Sequence, residues 1–192
     1  MFPHRVAAII LAGVTTTSRR EVDWITYDVG RIFPQQWERF TAHIPNNLKH
    51  LSIVDAYAEL LFDNNPSVCD AAATEWNAWE DAHVSLAASG HIRSRRYHDA
   101  GFRLRFARIV THYWRHAGFL EEGQILQNAS QLSSIPGILL HGRYDVSSPL
   151  ITAWTLRQHW ARSELTIVND GHGGTYFAKC IVAALNRFRI KC

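Results

Sequence analysis

Gly137-Ile138-Leu139-Leu140-His141-Gly142-Arg143-Tyr144-Asp145 is the stretch on which the fold turns. Pro136 leads into a short apolar run, His141 closes it, and Gly142 stops it. A run of this length, apolar at every position before the His, suits a strand buried on both faces of a parallel sheet. The acid that follows lies just beyond the carboxyl end of that strand. In open parallel sheets, that is the end where reacting groups sit.

Working outward, Leu150 to Arg162 places Ala153, Trp154, Leu156, Trp160 and Ala161 at helical spacing. Leu165-Thr166-Ile167-Val168 is a second buried strand, and Thr175 to Arg189 is another helical pattern. Upstream, Val6 to Ala12 is a third apolar run, stopped by Gly13. Preceded by Met1 to Arg5, it also has the look of a short signal peptide. It is at the low end of length for that role, and the strand is the preferred reading. Alternating strand and helix is the signature of a parallel sheet with right-handed crossovers.

Phe33 to Leu120 breaks this rhythm and reads as nearly all helix. Pro34 opens one helix, with Trp37, Phe40 and Ile44 on one face. Ile53 to Phe62 is a second, Pro66 opens a third through to Trp79, and Phe102 to His116 is a fourth. Ser89 to Ala100 reads as a polar loop. The expected organisation is a sheet-bearing core, 1–32 and 121–192, with a helical insertion, 33–120.

Composition narrows the function classes. Of 192 residues, 47% are apolar, which excludes disorder, and the net charge is only +3. The one dense basic run, Arg93-Ser94-Arg95-Arg96, has no nucleic-acid motif around it and reads as solvated loop. No nucleic-acid partner is expected. No run reaches the length of a membrane-spanning helix, so no membrane partner is expected either. Three cysteines, Cys69, Cys180 and Cys192, show no paired spacing and point to a reducing, cytoplasmic setting. Seven Trp is a high count, and some of that aromatic surface can line a pocket.

Asp145 after one strand, and His172 after the next in Asn169-Asp170-Gly171-His172-Gly173-Gly174, are the back half of a Ser–Asp–His triad in chain order. The Asp would fix the tautomer of the His, whose other nitrogen would serve a nucleophile. Spacing alone leaves open a surface Asp and a turn His. The nucleophile needs a Gly-flanked Ser on a strand-to-helix elbow before the Asp, and no Ser between Met1 and Asp145 sits in one. Ser18 follows three Thr residues but lacks the flanking glycines. His112 and His116 are spaced as a zinc pair on a helix, without the intervening Glu or an obvious third ligand, so no metal is expected.

His141-Gly142-Arg143-Tyr144-Asp145-Val146, with Pro149 and Ala153-Trp154 after it, resembles the motif around the catalytic Asp of the prolyl aminopeptidases (proline iminopeptidases). Phe33-Pro34-Gln35-Gln36-Trp37-Glu38 resembles the start of that family's helical cap. Trp76-Asn77-Ala78-Trp79-Glu80 resembles its W-x-x-W-E stretch. Phe106-Ala107-Arg108-Ile109 with His112-Tyr113 resembles a further cap motif. Four motifs in order span most of the chain.

The resemblance implies a partial α/β-hydrolase fold: the last three parallel strands with flanking helices, plus a helical cap insertion. It implies a serine hydrolase that releases N-terminal proline from peptides without metal or organic cofactor. Asp145 and His172 would be catalytic. In the family, the segment similar to Pro3-His4-Arg5-Val6 directly follows the nucleophile's helix. The expectation is therefore a chain that begins just past the Ser, inactive alone, and able to associate with a missing N-terminal segment. Glu80 would bind the substrate's ammonium group. A second family Glu is replaced by Val110, which weakens that grip. Trp76, Trp79 and Trp114 would line a pocket for the pyrrolidine ring or else form cap core. Arg19 and Arg20 fall where the family has basic residues, or are plain surface charge. An inactive remnant and another α/β-hydrolase activity, such as ester hydrolysis, remain alternatives.

Overall fold

The computed structural model describes residues 2–87, 90–91 and 94–189. In chain order, the regular elements are β1 (Ile9–Ala12), α1 (Arg19–Thr26), α2 (Pro34–Ala42), α3 (Ile53–Leu61) and α4 (Pro66–Val84). They continue as β2 (Leu86–Ala87), β3 (Gly90–His91), α5 (Ala100–Arg115), α6 (Gln124–Gln127), β4 (Gly137–Gly142), α7 (Leu150–His159), β5 (Ser163–Val168) and α8 (Thr175–Arg187). The chain divides into two compact units. One gathers residues 2–16, 86–87, 90–91 and 123–189. The other gathers residues 17–85 and 94–122. Residues 17–32, expected with the sheet, thus pack with the helices: α1 is tied to α2 through the Trp37 indole N–H, which donates to the Thr26 carbonyl at 2.7 Å.

The first unit is built on a parallel sheet of order β1-β4-β5. β4 is central and buried along its whole length. Its side chains alternate between faces, as strand geometry requires. Leu139 joins Ala153, Leu156 and Trp160 of the α7 side. Ile138 and Leu140 join Phe177 and Ala184 of α8. Gly137 opens the strand because the Trp160 indole fills the space beside it: a Cβ there would meet the ring at 2.3 Å. This is the three-stranded, helix-flanked arrangement expected of part of an α/β-hydrolase fold.

Two boundaries differ from expectation for physical reasons. β1 starts at Ile9 rather than Val6, because its partner β4 starts at Gly137, opposite Ile9; Pro3–Arg5 coil into a 3-10 turn instead. α7 stops at His159, where Trp160 leaves helical geometry and donates its indole N–H to the Ile135 carbonyl at 2.8 Å.

The second unit is helical, with an aromatic core. Phe40 stacks on Tyr57 at 4.5 Å and on Trp79 at 5.4 Å between ring centroids. Burial pushes the Tyr57 phenol far up from its usual pKa, and its hydroxyl donates to the Phe40 carbonyl. Asn65 and Asp99 cap the starts of α4 and α5 with their side-chain oxygens. The expected polar loop Ser89–Ala100 holds a 3-10 turn at Arg95–His98 and the strand Gly90–His91; Ser89 and Arg93 lie outside the described residues, as does Cys192. Among the described residues, no helix is long and apolar enough to cross a membrane.

Candidate active site

β4 and β5 are adjacent and parallel, so their carboxyl ends present two loops side by side. Gly142 lets those loops touch. A Cβ there would lie 2.0 Å from the Gly171 carbonyl oxygen and 2.6 Å from that of Asp170. The loops are then stitched together by the Arg143 N–H donating to the Val168 carbonyl at 2.7 Å and the Tyr144 N–H to the Asp170 carbonyl at 3.0 Å.

Asp145 is buried at the tip of the first loop. Its Oδ1 accepts the backbone N–H groups of Ser147 and Ser148, each at 3.0 Å. Its Oδ2 faces His172 Nδ1 at 3.0 Å. A carboxylate accepts, so Nδ1 carries the proton and Nε2 is left with a lone pair. The His172 side chain is 45% exposed, while that of Asp145 is fully buried. A buried acid fixing the tautomer of a half-exposed imidazole, so that Nε2 carries no proton, is the geometry of a general base.

The His172 loop is held by glycine and by Asp170. Asp170 Oδ1 accepts the Gly171 N–H at 3.0 Å. Gly174 has φ +144°, and a Cβ there would sit 2.1 Å from Asp170 Oδ2, so only glycine fits. Gly173 has no neighbour within 4 Å of a built Cβ, so space does not demand glycine there. Gly13, past the end of β1 with φ +63°, borders the His172 ring, 3.5 Å from Cε1 to a built Cβ. His141 was not singled out by the sequence. It lies wholly buried with Nε2 3.8 Å from Asp145 Oδ2, and its signal was a polar side chain closing an apolar strand.

The remaining site candidates belong to the helical unit. Trp76 and Trp79 are core residues, only 1% and 3% exposed, and Trp114 is half-buried with its ring 5.7 Å from that of Trp76. Glu80 is partly buried on α4, 3.6 Å from the buried ring of His83. Burial first, and the charge of Glu80 next, push the Tyr97 phenol up. Val110 packs against the aromatic core, so the position of the family's second Glu is apolar here. Arg19 is exposed, and Arg20 pairs with Asp28 at 2.9 Å. His112 and His116 approach at 5.1 Å between rings, but among the described residues no group of three or more His, Cys, Asp or Glu is placed to hold a metal. Ser18 caps α1: its Oγ accepts the Glu21 N–H and its own N–H donates to the Glu21 carboxylate, a reciprocal capping box. Cys69 is buried and Cys180 half-buried, both as free thiols.

No protein-family model matches the chain. Curated relatives do. A protein of Streptomyces coelicolor named a probable proline iminopeptidase is 38% identical over 192 residues, covering 97% of this chain and 58% of the relative. A proline iminopeptidase of Xylella fastidiosa is 34% identical over 185 residues, covering 95% of this chain and 58% of that protein. One of Arabidopsis thaliana is 35% identical over 174 residues, covering 88% and 45%. The chain spans about half the length of the curated relatives it matches.

Proposed function

We propose, from its kinship with the proline iminopeptidases over nearly all of its length, that the chain carries the acid and the base of a serine-type aminopeptidase that releases N-terminal proline from peptides. The observation that carries the reading is the 3.0 Å contact between His172 Nδ1 and Asp145 Oδ2 at the ends of neighbouring parallel strands. His172 takes the proton of a Ser hydroxyl as that oxygen attacks the substrate carbonyl, then returns it to the leaving amine. Asp145 holds the ring in the required tautomer and stabilises the imidazolium that forms. The reaction needs no metal or organic cofactor.

Glu80 supports the choice of substrate: a partly buried carboxylate pairs with the free N-terminal ammonium that an exopeptidase must recognise. With Val110 in place of a second acid, that recognition rests on Glu80 alone. Trp76 and Trp79, being core, hold the helix that carries Glu80 rather than stack on the proline ring. The site of action is cytoplasmic, in keeping with the unpaired cysteines.

The 192 residues hold no Gly-flanked Ser elbow. The pair therefore serves a nucleophile borne on another segment, in the same or a second chain, and the 192-residue chain by itself is catalytically silent. Loss of a triad nucleophile costs on the order of a millionfold in rate. The test has two arms. Purified 192-residue chain should not hydrolyse a proline arylamide; turnover that disappears in His172→Ala would overturn the silent reading. Fusion to the portion of the Streptomyces coelicolor relative that this chain does not match should restore turnover, with proline arylamide preferred over simple esters. Preference for esters would replace the peptidase reading with an esterase.

A further inference from the structure

We propose that His141 is a positioning residue: it clamps the turn carrying Asp145 onto the end of β1 and so sets the carboxylate against His172. The inference rests on the reading of Asp145 and His172 as the catalytic pair.

His141 is wholly inaccessible to solvent, and both of its ring nitrogens are engaged. Nδ1 accepts the Val14 N–H at 3.2 Å. A nitrogen that accepts bears no proton, so the ring is neutral and its one N–H is on Nε2. That N–H donates to the Ser148 carbonyl. The ring thus bridges a backbone donor at the end of β1 and a backbone acceptor in the turn after β4.

Val14 and Ser148 explain why such a bridge is needed. The β1–β4 ladder ends with the Gly13 N–H donating to the Leu140 carbonyl at 3.0 Å. Val14 is the next residue, buried, with no strand partner left for its backbone. Side chains take over: His141 accepts its N–H, and the Ser148 hydroxyl donates to its carbonyl at 2.6 Å. Ser148 is held in turn at three points. Its hydroxyl goes to Val14, its carbonyl takes the His141 N–H, and its own N–H donates to Asp145 Oδ1 at 3.0 Å. Ser147 and Ser148 hold Oδ1, and with the carboxylate so held Oδ2 meets His172 Nδ1 at 3.0 Å.

The distance of 3.8 Å between His141 Nε2 and Asp145 Oδ2 is too long for a hydrogen bond, so His141 acts through the turn and not on the carboxylate directly. The same short segment, Gly13-Val14, borders the His172 ring on one side and anchors the Asp145 turn on the other. A displaced β1 end therefore reaches both members of the pair at once. Only a side chain offering one acceptor and one donor at opposite ends can fill this place in an apolar strand. Neutral imidazole does so, and a glutamine amide can; leucine leaves two buried backbone groups unsatisfied.

The experiment is NMR on the full chain with 15N-labelled histidine. In wild type, His172 should show a hydrogen-bonded Nδ1 proton downfield of the amides, and Asp145→Asn should remove or shift it. His141→Leu should lose that signal, and His141→Gln should retain it. Wild-type His141 should appear as the neutral Nε2–H tautomer at neutral pH. A His172 signal indifferent to Asp145→Asn overturns the catalytic pair itself. A signal kept in His141→Leu, or lost equally in His141→Gln, overturns only the clamp, as does finding His141 as the Nδ1–H tautomer. Should His141→Leu fail to fold, Ser148→Ala removes a single grip. An unbroadened, unshifted His172 signal in that variant overturns the proposal too.

Discussion

The two units satisfy their buried polar groups in opposite ways. In the sheet unit, the Trp160 indole N–H, both nitrogens of His141 and both oxygens of Asp145 all have partners. In the helical unit, Trp76 Nε1, Trp79 Nε1, Asn77 Oδ1 and Arg103 Nε are buried with no partner among the described residues. Leaving a donor or acceptor unmade costs about 1–3 kcal/mol each. The helical unit offsets this with aromatic mass: Phe40 in ring contact with Tyr57, Trp76 and Trp79, each nearly or wholly buried. Apolar packing is tolerant of direction, whereas a satisfied network fixes one geometry. The unit in which a carboxylate meets an imidazole at 3.0 Å is the one with the closed network.

The sharpest way to break this contrast is truncation. Trp76→Ala and Trp160→Ala each empty a fully buried indole site, and each should destabilise its unit by about 3–5 kcal/mol in chemical denaturation. If the aromatic core is what holds the helical unit, Trp76→Ala should also collapse the near-ultraviolet circular dichroism of the remaining tryptophans. A loss under 1 kcal/mol at Trp76 would show that its burial contributes little.

Next in size is Gly142→Ala. The new methyl would lie 2.0 Å from a backbone oxygen, where no side chain can swing away, so the two loops must part. Overpacking of this kind costs about 3 kcal/mol, at the upper end of its usual range. The Asp145–His172 hydrogen bond should be lost with it, read by the His172 Nδ1 proton. A folded variant that keeps that proton would mean that the loops tolerate separation.

A finer comparison replaces each tryptophan by phenylalanine. Trp160→Phe strands the Ile135 carbonyl, whereas Trp76→Phe removes a donor that has no partner. Trp160→Phe should therefore be the more destabilising of the two, by about 2 kcal/mol. Equal costs would erase the distinction between the units.

What the sequence made legible follows the same division. The sheet unit is readable because its strands are short apolar runs, with Asp145 and His172 just past their ends, and the structure brings those two side chains to 3.0 Å. His141 is not legible as more than a strand end, because its partners are backbone groups of Val14 and Ser148 that no spacing rule connects. In the helical unit, α2 to α5 were legible from helical periodicity and from Pro34 and Pro66. α1 was not, since Arg19–Thr26 is short and polar, with its apolar contacts made to distant elements. The fate of Trp76 and Trp79 was undecidable from composition, because a pocket and a core draw on the same aromatic residues.

A signal for α1 was nonetheless present, and it bears on catalysis. Ser18-Arg19-Arg20-Glu21 is a capping-box pattern, and the structure closes both of its hydrogen bonds, at 3.3 Å from the Glu21 N–H to Ser18 Oγ and 3.1 Å from the Ser18 N–H to Glu21 Oε2. Ser18 is also a serine that a search for a nucleophile must consider, lying before Asp145 and just past β1. The two roles predict different consequences of one substitution. As a cap, Ser18→Ala should cost about 1 kcal/mol of helical-unit stability, and Ser18→Gly only a few tenths. In the fused protein carrying a complete triad, neither should change turnover of proline arylamide beyond the loss expected from unfolding. As a nucleophile, Ser18 would give the 192-residue chain turnover of its own, which both substitutions would abolish while leaving the denaturation midpoint nearly unmoved. Ser18 has no Gly-flanked elbow to expose its hydroxyl, and that hydroxyl accepts a backbone N–H at the first turn of a helix. The expected outcome is therefore the small loss of stability with activity intact. Turnover by the 192-residue chain alone that Ser18→Gly abolishes at unchanged stability would move the nucleophile into this chain and overturn the silent reading.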